Sequence, residues 1–250
     1  MTSTRPARDA VSAVWAVLFD TFGTVVDWRS GITAAVRRTA AVHGVPRDAE
    51  AFADAWRAKY EPSMDRVRKG LRQFTTLTRL HRENLTATLA DFGVNLPDPE
   101  IERLTHAWEQ LPPWPDSVAG LTMLRRRYIV GPLSNGNVAL LTRMAKHTGL
   151  PWDVIIGADV TRRYKPQPEA YLHAATLLEL EPEQVMLAAA HNHDLAAARQ
   201  AGFATAFVLR STEFGPSQSG DLQAESDWDV IATDFVDLAE RLGAADSSPH

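Results

Sequence analysis

The 250-residue chain contains no cysteine, so a disulfide, a zinc–thiolate site and a thiol nucleophile are all excluded. It also contains no apolar run of the roughly 18–20 residues that are needed to cross a bilayer. The first ten residues are polar and lack the apolar segment of a secretory signal. We therefore expect a cytoplasmic protein with no membrane-embedded segment.

An excess of positive charge is also missing. The chain has 26 Lys and Arg against 31 Asp and Glu, which gives a net charge of −5. General nucleic-acid binding requires a basic face that neutralises phosphates, so we expect no nucleic-acid partner. Hydrophobic residues make up 45% of the chain, as in an ordinary globular protein. Such a composition excludes a disordered chain.

Short, almost wholly apolar runs are typical of strands that are buried on both faces. They occupy residues 14–20, 128–133, 185–190 and 204–209, with a candidate edge strand at 227–232. Helical patterns follow at 138–147, 169–180, 195–200 and 235–242. Strands that alternate with helices predict an α/β fold built on a parallel sheet.

Residues 28–114 interrupt this alternation, because they carry helical patterns only. The predicted helices are 31–43, 48–60, 74–92 and 99–110. Phe52, Trp56 and Tyr60 recur every four residues and form one apolar stripe. Gly44-Val45-Pro46, Gly93-Val94 and Leu111-Pro112-Pro113 are breakers between helices. We predict a core domain made of residues 1–27 and 115–250, and an all-helical cap domain made of residues 28–114.

Polar side chains follow the predicted strands at their carboxyl ends, where open parallel sheets bind ligands. These residues, together with a lysine before the helix at 169, are Asp20, Thr24, Ser134, Asn135, Lys165, His191, Asn192, His193 and Asp194. Most of these residues also have a structural explanation. Asp20 and Ser134 are residue types that favour turns, and Asp194 lies in the first turn of a predicted helix, where a negative charge interacts favourably with the helix dipole. Burying an acid behind six apolar strand residues is nevertheless costly, which favours a functional Asp20.

Several common sites are not indicated. The chain has no Gly-x-x-x-x-Gly-Lys loop, and no Gly-x-Gly-x-x-Gly follows a strand, so nothing suggests a nucleotide cofactor. The pair His191-x-His193 has metal-ligand spacing but lacks an evident partner site. We therefore predict neither a metal nor a cofactor.

Four ordered motifs resemble those of the haloacid dehalogenase superfamily. They are Phe19-Asp20-Thr21-Phe22-Gly23-Thr24, Ser134-Asn135, Lys165-Pro166 and a distal Asp194. The resemblance spans nearly the whole chain and implies a Rossmann-like parallel-sheet core with an inserted all-helical cap. It leaves open whether the chain is a phosphatase or a dehalogenase.

Phe22 bears on that choice. The superfamily's phosphatases carry an acid two residues after the nucleophile, because a departing alkoxide needs a proton. A halide needs none, and Asp20-x-Phe22-Gly23-Thr24 looks like the type II 2-haloacid dehalogenases. Such enzymes convert short (S)-2-haloalkanoic acids to 2-hydroxyalkanoic acids and halide. The alternatives are a magnesium-dependent phosphatase with Asp20 and Asp194 as ligands, a non-enzymatic binding protein, and a carbon-centred hydrolase with another leaving group.

The resemblance also implies roles. Asp20 would be the nucleophile, Lys165 would keep it ionised, and Asp194 would activate water. Arg57, in Trp56-Arg57-Ala58-Lys59, would cradle the halide with help towards the substrate carboxylate. The remaining predicted contacts with substrate or halide are Phe22, Ser134, Asn135, Tyr171 and Phe74, and Thr24 is a predicted catalytic residue. A homodimer is a further expectation from the resemblance.

The fourth motif departs from the family. Its Ser-x-Asn-x-x-Asp run is replaced here by Ala189-Ala190-His191-Asn192-His193-Asp194, so Ala189 takes the place of a serine and His191 that of an asparagine. We hypothesise that His191 takes over a polar role as water ligand, base or halide contact. Its bulk would also tighten the pocket and favour small halides, fluoride included.

Overall fold

Six short parallel strands form one sheet in the computed structural model, which describes residues 11–43 and 48–244. The strands are β1 (Ala16–Phe19), β2 (Ile129–Ser134), β3 (Ile156–Gly157), β4 (Val185–Ala189), β5 (Ala204–Val208) and β6 (Val230–Ala232). Their order across the sheet is β3-β2-β1-β4-β5-β6. This is the Rossmann order, in which the strands are added to one side of β1 and then, from β4 on, to the other side, and this switch leaves a crevice at the carboxyl ends of β1 and β4.

Both faces of the sheet are covered, which explains why the strands are apolar at successive positions rather than alternate ones. In β1, Val17 and Phe19 belong to one hydrophobic cluster, whereas Ala16 and Leu18 belong to the other. All four side chains are fully buried. Alternation of successive side chains between the two faces therefore builds two cores from one strand.

Helices flank this sheet in the core. They are α6 (Ser117–Leu124), α7 (Val138–Thr148), α8 (Ala158–Thr161), α9 (Pro168–Leu177), α10 (Asn192–Gln200) and α11 (Phe235–Arg241). The prediction of an α/β fold is confirmed, although α6, α8 and β3 had no counterpart among the predicted elements. Within residues 11–43 and 48–244, no helix combines the length and apolar character that crossing a bilayer requires.

Five helices and a short 3-10 turn are inserted between β1 and β2 as a helical cap. They are α1 (Trp28–His43), α2 (Ala49–Ala58), α3 (Tyr60–Arg68), α4 (Leu77–Asp91), α5 (Asp98–Thr105) and the turn His106–Glu109. The breaker Gly44-Val45-Pro46, the first ten residues and residues 245–250 lie outside the described ranges.

The sequence predicts one helix over 48–60, but the structure has two helices that meet at Lys59. Pro62 explains the break. It cannot donate a backbone hydrogen bond to Ala58, and its ring clashes with a helical carbonyl four residues earlier. The second helix, α3, therefore starts at Tyr60 and turns that side chain towards the core.

Two adjacent segments connect the cap to the core. The backbone N–H of Asp27 donates to the carbonyl of Pro112 at 2.9 Å, and that of Trp114 donates to Val25 at 3.1 Å. The Ser117 hydroxyl donates to the same Val25 carbonyl at 2.7 Å. The chain thus enters and leaves the cap side by side, and one hydrophobic cluster continues from the sheet into the cap.

Gly120 lies where α6 packs against α11. A Cβ at this position would lie 2.4 Å from the Cβ of Phe235 and 2.6 Å from its carbonyl oxygen. We expect Gly120→Ala to lower the free energy of unfolding by about 1–3 kcal/mol, since the helix propensity of alanine offsets at most about 1 kcal/mol. Urea unfolding measures the change. Gly220→Ala is the control, because a Cβ there meets nothing within 4 Å; a Gly120→Ala variant as stable as wild type would contradict this packing.

Candidate active site

The carboxyl ends of the neighbouring strands β2, β1 and β4 bring three predicted site segments together. Asp20 follows β1 directly, Asn135 follows β2, and His191 comes two residues after β4. The strand order therefore accounts for the convergence of residues that are far apart in the sequence.

Lys165 joins two buried carboxylates. Its Nζ lies 2.9 Å from Oδ1 of Asp20 and also forms an ion pair with Oδ2 of Asp194. The Tyr171 hydroxyl donates to the other oxygen of Asp194 at 2.5 Å. The backbone N–H of Lys165 donates to Oδ1 of Asn135 at 2.8 Å, which fixes the lysine against the end of β2.

The second oxygen of Asp20 has two donors of its own. The Thr24 hydroxyl lies 2.8 Å from Oδ2 and accepts in turn from the backbone N–H of Ala190 at 3.0 Å. His191 Nδ1 lies 3.1 Å from the same Oδ2. Burial alone would raise the pKa of Asp20, but the charges and hydrogen bonds of Lys165 and His191 outweigh it, and the pKa lies well below its ordinary value. Asp20 is therefore ionised.

Glu213 holds the opposite side of the His191 ring. Its Oε2 lies 2.9 Å from Nε2 of His191, and its Oε1 accepts a hydrogen bond from the indole of Trp28 at 3.0 Å. Burial would lower the pKa of His191, but Glu213 and Asp20 raise it well above its ordinary value. The ring is therefore an imidazolium that donates to both carboxylates.

Gly23 makes room for this carboxylate. Its φ of +89° is one that residues with a side chain rarely adopt, and a Cβ there would lie 2.0 Å from Oε1 of Glu213. The glycine of the first motif is thus required twice, for its backbone conformation and for the close approach of Glu213.

A cavity of about 710 Å³ opens between cap and core, and residues of both line it. Asp20, Lys165 and His191 contribute from the core, and Arg57 and Tyr60 from the cap. Arg57 is half-buried, forms no ion pair within the part of the chain that the structure describes, and its buried Nε has no hydrogen-bond partner. An ionised carboxylate and an unpaired guanidinium thus share one cavity.

Aromatic rings surround that guanidinium. Its carbon lies 3.9 Å from the ring centroid of Tyr60 and 5.4 Å from that of Trp28. Such cation–π contacts hold a cation without neutralising it. Burial raises the pKa of the Tyr60 hydroxyl to about 12, so that ring stays uncharged.

Phe22 also lines the cavity and is buried. It packs edge-on against Trp108 at 5.7 Å and against Tyr60 at 6.3 Å between ring centroids. No proton donor occupies this position, two residues after Asp20, and the cavity wall here is apolar.

Both carboxylates accept hydrogen bonds from protein donors on each of their oxygens. Each oxygen of Asp20 and Asp194 accepts at least one hydrogen bond, from Lys165, Thr24, His191 or Tyr171. Across residues 11–43 and 48–244, no three His, Asp or Glu side chains are grouped in a way that could hold a metal ion. The donor set suits an ammonium between the carboxylates.

Comparison with known proteins identifies the family. A profile described as "haloacid dehalogenase-like hydrolase" matches residues 15–202, about three quarters of the chain. This chain belongs to the haloacid dehalogenase-like hydrolases.

The solved structures and curated proteins that this hydrolase resembles include several 2-haloacid dehalogenases. The structure of the defluorinating L-2-haloacid dehalogenase Rha0230 is 57% identical with a TM-score of 0.91, covering 92% of this chain and 95% of its own. That of the L-2-haloacid dehalogenase PA0810 is 47% identical with a TM-score of 0.90, covering 92% and 99%. The (S)-2-haloacid dehalogenase 4A of Burkholderia cepacia is 29% identical over 92% of this chain and 100% of its own.

The structure brings most of the predicted site residues of this hydrolase into one place. Those that line the cavity are Asp20, Phe22, Arg57, Asn135, Lys165, His191, His193 and Asp194. Thr24 and Tyr171 lie behind them and donate to the carboxylates of Asp20 and Asp194. His193 is exposed, with its ring centroid 5.7 Å from that of His191.

Three predicted contacts with substrate or halide do not line the cavity: Tyr171, which is buried behind Asp194, Phe74 and Ser134. Phe74 does not line the cavity; its ring packs on Tyr164 at 5.4 Å, with the guanidinium of Arg162 over its face. Ser134 is also absent from the lining, and its hydroxyl oxygen accepts from the backbone N–H of Gly136 at 3.1 Å. The aromatic lining comes instead from Phe22, Trp28, Tyr60 and Phe214.

Several site residues have no predicted role in the sequence, namely Glu213, Trp28, Tyr60 and Phe214. A signal did exist for Glu213, because it follows the predicted strand 204–209 by four residues. The residues that follow the carboxyl end of this strand, like those that follow the other strands, are candidates for the site, and Glu213 is among them. Nothing in the sequence indicates that Trp28, at the first position of α1, turns its indole towards that carboxylate.

Proposed function

We propose that this hydrolase converts short (S)-2-haloalkanoic acids to 2-hydroxyalkanoic acids and halide through an ester on Asp20. The decisive observation is an ionised, buried Asp20 that shares its cavity with the unpaired guanidinium of Arg57. Phe22, at the position where a phosphatase needs an acid, agrees with a leaving group that departs without a proton.

In the first half-reaction, a carboxylate oxygen of Asp20 attacks C2 from the side opposite the halogen. The carbon–halogen bond breaks with its electron pair, so the halide leaves as an anion and Asp20 becomes a neutral ester. Arg57 and Asn135 stabilise the charge that develops on the halide. Covalent catalysis of this kind divides one difficult displacement into two easier steps.

In the second half-reaction, water attacks the carbonyl carbon of the Asp20 ester. Asp194 lies across Lys165 from Asp20 and takes a proton from that water. The bond between the carbonyl carbon of Asp20 and the oxygen attached to C2 then breaks, and that oxygen takes the proton back from Asp194 and leaves as the hydroxyl of the 2-hydroxy acid. Because water never attacks C2, that carbon retains the single inversion of the first step.

We include fluoroacetate among the proposed substrates. His191 replaces the smaller asparagine of the family's motif, and its ring fills the space beside Asp20, which favours a small leaving group. The relative that is 57% identical is a defluorinating enzyme, which supports this extension.

We propose that residues 1–27 and 115–250 form the core domain and residues 28–114 the cap, with closure of the cap excluding water from the displacement. A cytoplasmic location and a homodimer stay predictions from the sequence and its resemblance. The magnesium-dependent phosphatase is not favoured, because Phe22 cannot protonate an alkoxide.

Two measurements test the proposed function. We expect halide release from fluoro-, chloro- and bromoacetate, and from the (S) but not the (R) enantiomer of 2-chloropropionate, with no loss of activity in EDTA. In a single turnover in heavy-oxygen water, the label should enter Asp20 first and not the product. Phosphate-ester hydrolysis that EDTA abolishes, or immediate labelling of the product, would refute the proposal.

A further inference from the structure

We propose that Glu213 is a positioning residue for hydrolysis of the Asp20 ester. It holds His191 so that His191 Nδ1–H and the Thr24 hydroxyl together stabilise the oxyanion that forms on Oδ2 of Asp20. This inference rests on the proposed ester mechanism and assigns a task to a residue outside the four family motifs.

The contacts of Glu213 join it to two side chains that line the cavity, His191 and Trp28. Its side chain is 1% exposed, with one oxygen 2.9 Å from Nε2 of His191 and the other 3.0 Å from the indole nitrogen of Trp28. It does not line the cavity and so acts through His191. Glu213 lies in the segment after β5. This segment can approach the site because Gly23 has a φ of +89° and no side chain.

The two oxygens of Asp20 are held differently, and the difference suggests which one attacks. Among the residues that the structure describes, Oδ1 has a single side-chain donor, Lys165, whereas Oδ2 has two, Thr24 at 2.8 Å and His191 at 3.1 Å. The oxygen held by two donors is the poorer nucleophile. We therefore assign the bond to C2 to Oδ1, which leaves Oδ2 as the carbonyl oxygen of the ester.

Attack by water then moves charge onto Oδ2. The water oxygen bonds to the carbonyl carbon, one water proton passes to Asp194, and the carbonyl electron pair becomes an oxyanion on Oδ2. Collapse breaks the bond from the carbonyl carbon to Oδ1, Asp194 returns its proton to that departing oxygen, and the remaining proton goes to solvent. The oxygen brought by water thus stays in Asp20. Preorganised donors at the oxyanion lower the barrier of this step.

Glu213 matters most when Asp20 is esterified. In the resting site, the anions that face His191 are Asp20 at the end of β1 and Glu213 after β5, with Lys165 and Asp194 further along the same cluster. Exposed His193 is its neighbour on α10. Ester formation removes the charge of Asp20, so Glu213 is then the anion in direct contact that keeps His191 protonated for the oxyanion.

Glu213→Gln isolates this effect because the glutamine side chain has the same shape. Its oxygen still accepts from Trp28, and its amide N–H donates to Nε2 of a neutral His191 that keeps Nδ1–H towards Asp20. The ring stays in place but loses its charge. We expect kcat with chloroacetate to fall about 100-fold, the first-turnover release of chloride to stay within a few-fold of wild type, and the esterified chain to accumulate in intact-mass spectra.

Glu109→Gln is the matched control. Glu109 is also a buried carboxylate that pairs with a histidine, His106 at 2.9 Å, but it lies in the cap and outside the cavity lining. We expect no ester to accumulate in this variant. A Glu213→Gln variant with unchanged kcat, or with a slowed first turnover and no ester, would overturn the inference.

A double-mutant cycle excludes a merely structural role. In a His191→Asn background Glu213 has no ring to position, so adding Glu213→Gln should leave ester hydrolysis unchanged. A further loss of the same size in that background would assign Glu213 to fold stability instead. Absence of the ester in wild type, even when a single turnover is quenched early, would refute the proposed function and with it the inference, whereas an ester that forms in wild type but does not accumulate in Glu213→Gln would refute the inference alone.

Discussion

Asp20→Asn will abolish halide release and leave the chain folded. An amide neither attacks C2 at a useful rate nor forms the ester, so we expect the rate to fall by at least about 10⁴-fold, in the range found when a nucleophile is removed. Ion chromatography of released halide measures the loss. Intact-mass spectra should contain no esterified chain at any time.

The fold should tolerate this change because of the charges around Asp20. The cluster holds the carboxylates of Asp20, Asp194 and Glu213 against the cations of Lys165 and His191. The cluster thus has one more negative charge than positive charges. Replacing Asp20 by a neutral amide removes that extra negative charge and leaves no unbalanced charge buried. Asp153→Asn, whose carboxylate bonds Arg125 and the backbone of Val130, is the control and should keep its activity. Equal activity in the Asp20→Asn variant would disprove the covalent mechanism.

Lys165→Met should have the next largest effect. It leaves Asp20 and Asp194 buried without the ammonium that bridges them. We expect halide release to fall about 10³-fold and the free energy of unfolding to fall by about 3–5 kcal/mol, as when a buried ion pair loses one partner. Steady-state kinetics and urea unfolding measure the two losses. Lys146→Met, at an exposed position on α7, should change neither.

The pH dependence of this variant has a definite sign. In wild type the pKa of Asp20 lies well below 3.8, so its carboxylate contributes stability above that value and loses it as the pH falls through the lower, folded pKa. Without Lys165, only His191 opposes the effect of burial on Asp20, so the pKa of Asp20 rises. The acidic limb of the rate profile should therefore move to higher pH. An unchanged acidic limb would mean that Lys165 does not control the ionisation of Asp20.

The sequence predicts the core and the convergence of most of the predicted site residues, for a simple physical reason. Parallel strands are apolar on both faces, so the polar residue that ends each one is conspicuous, and Asp20, Asn135 and His191 are found in this way. Their convergence follows from the strand order, which places β1 between β2 and β4. The break in the cap helix at Lys59 was also predictable, because a helix tolerates Pro62 only in its first turn and a helix over 48–60 cannot continue through it.

Contacts between distant segments with no periodic pattern are not predictable in this way. Glu213 meets His191 across 22 positions and Trp28 across 185, and its loop has neither strand nor helix character. Phe74 shows the opposite error. A half-buried aromatic residue near the site was predicted to contact the halide, but it packs on Tyr164 because that ring offers the adjacent apolar surface.

Arg57 has a consequence for discrimination among halogenated compounds. The Arg57 guanidinium contacts the rings of Tyr60 and Trp28 and has no counter-ion among the described residues. It can therefore bind an anion without first giving up another ion pair. A haloacid is negatively charged and forms an ion pair with Arg57. A haloalkane of equal size is neutral, forms no such ion pair and leaves the guanidinium of Arg57 without an anion. The enzyme should thus sort its ligands by charge first and by halogen second.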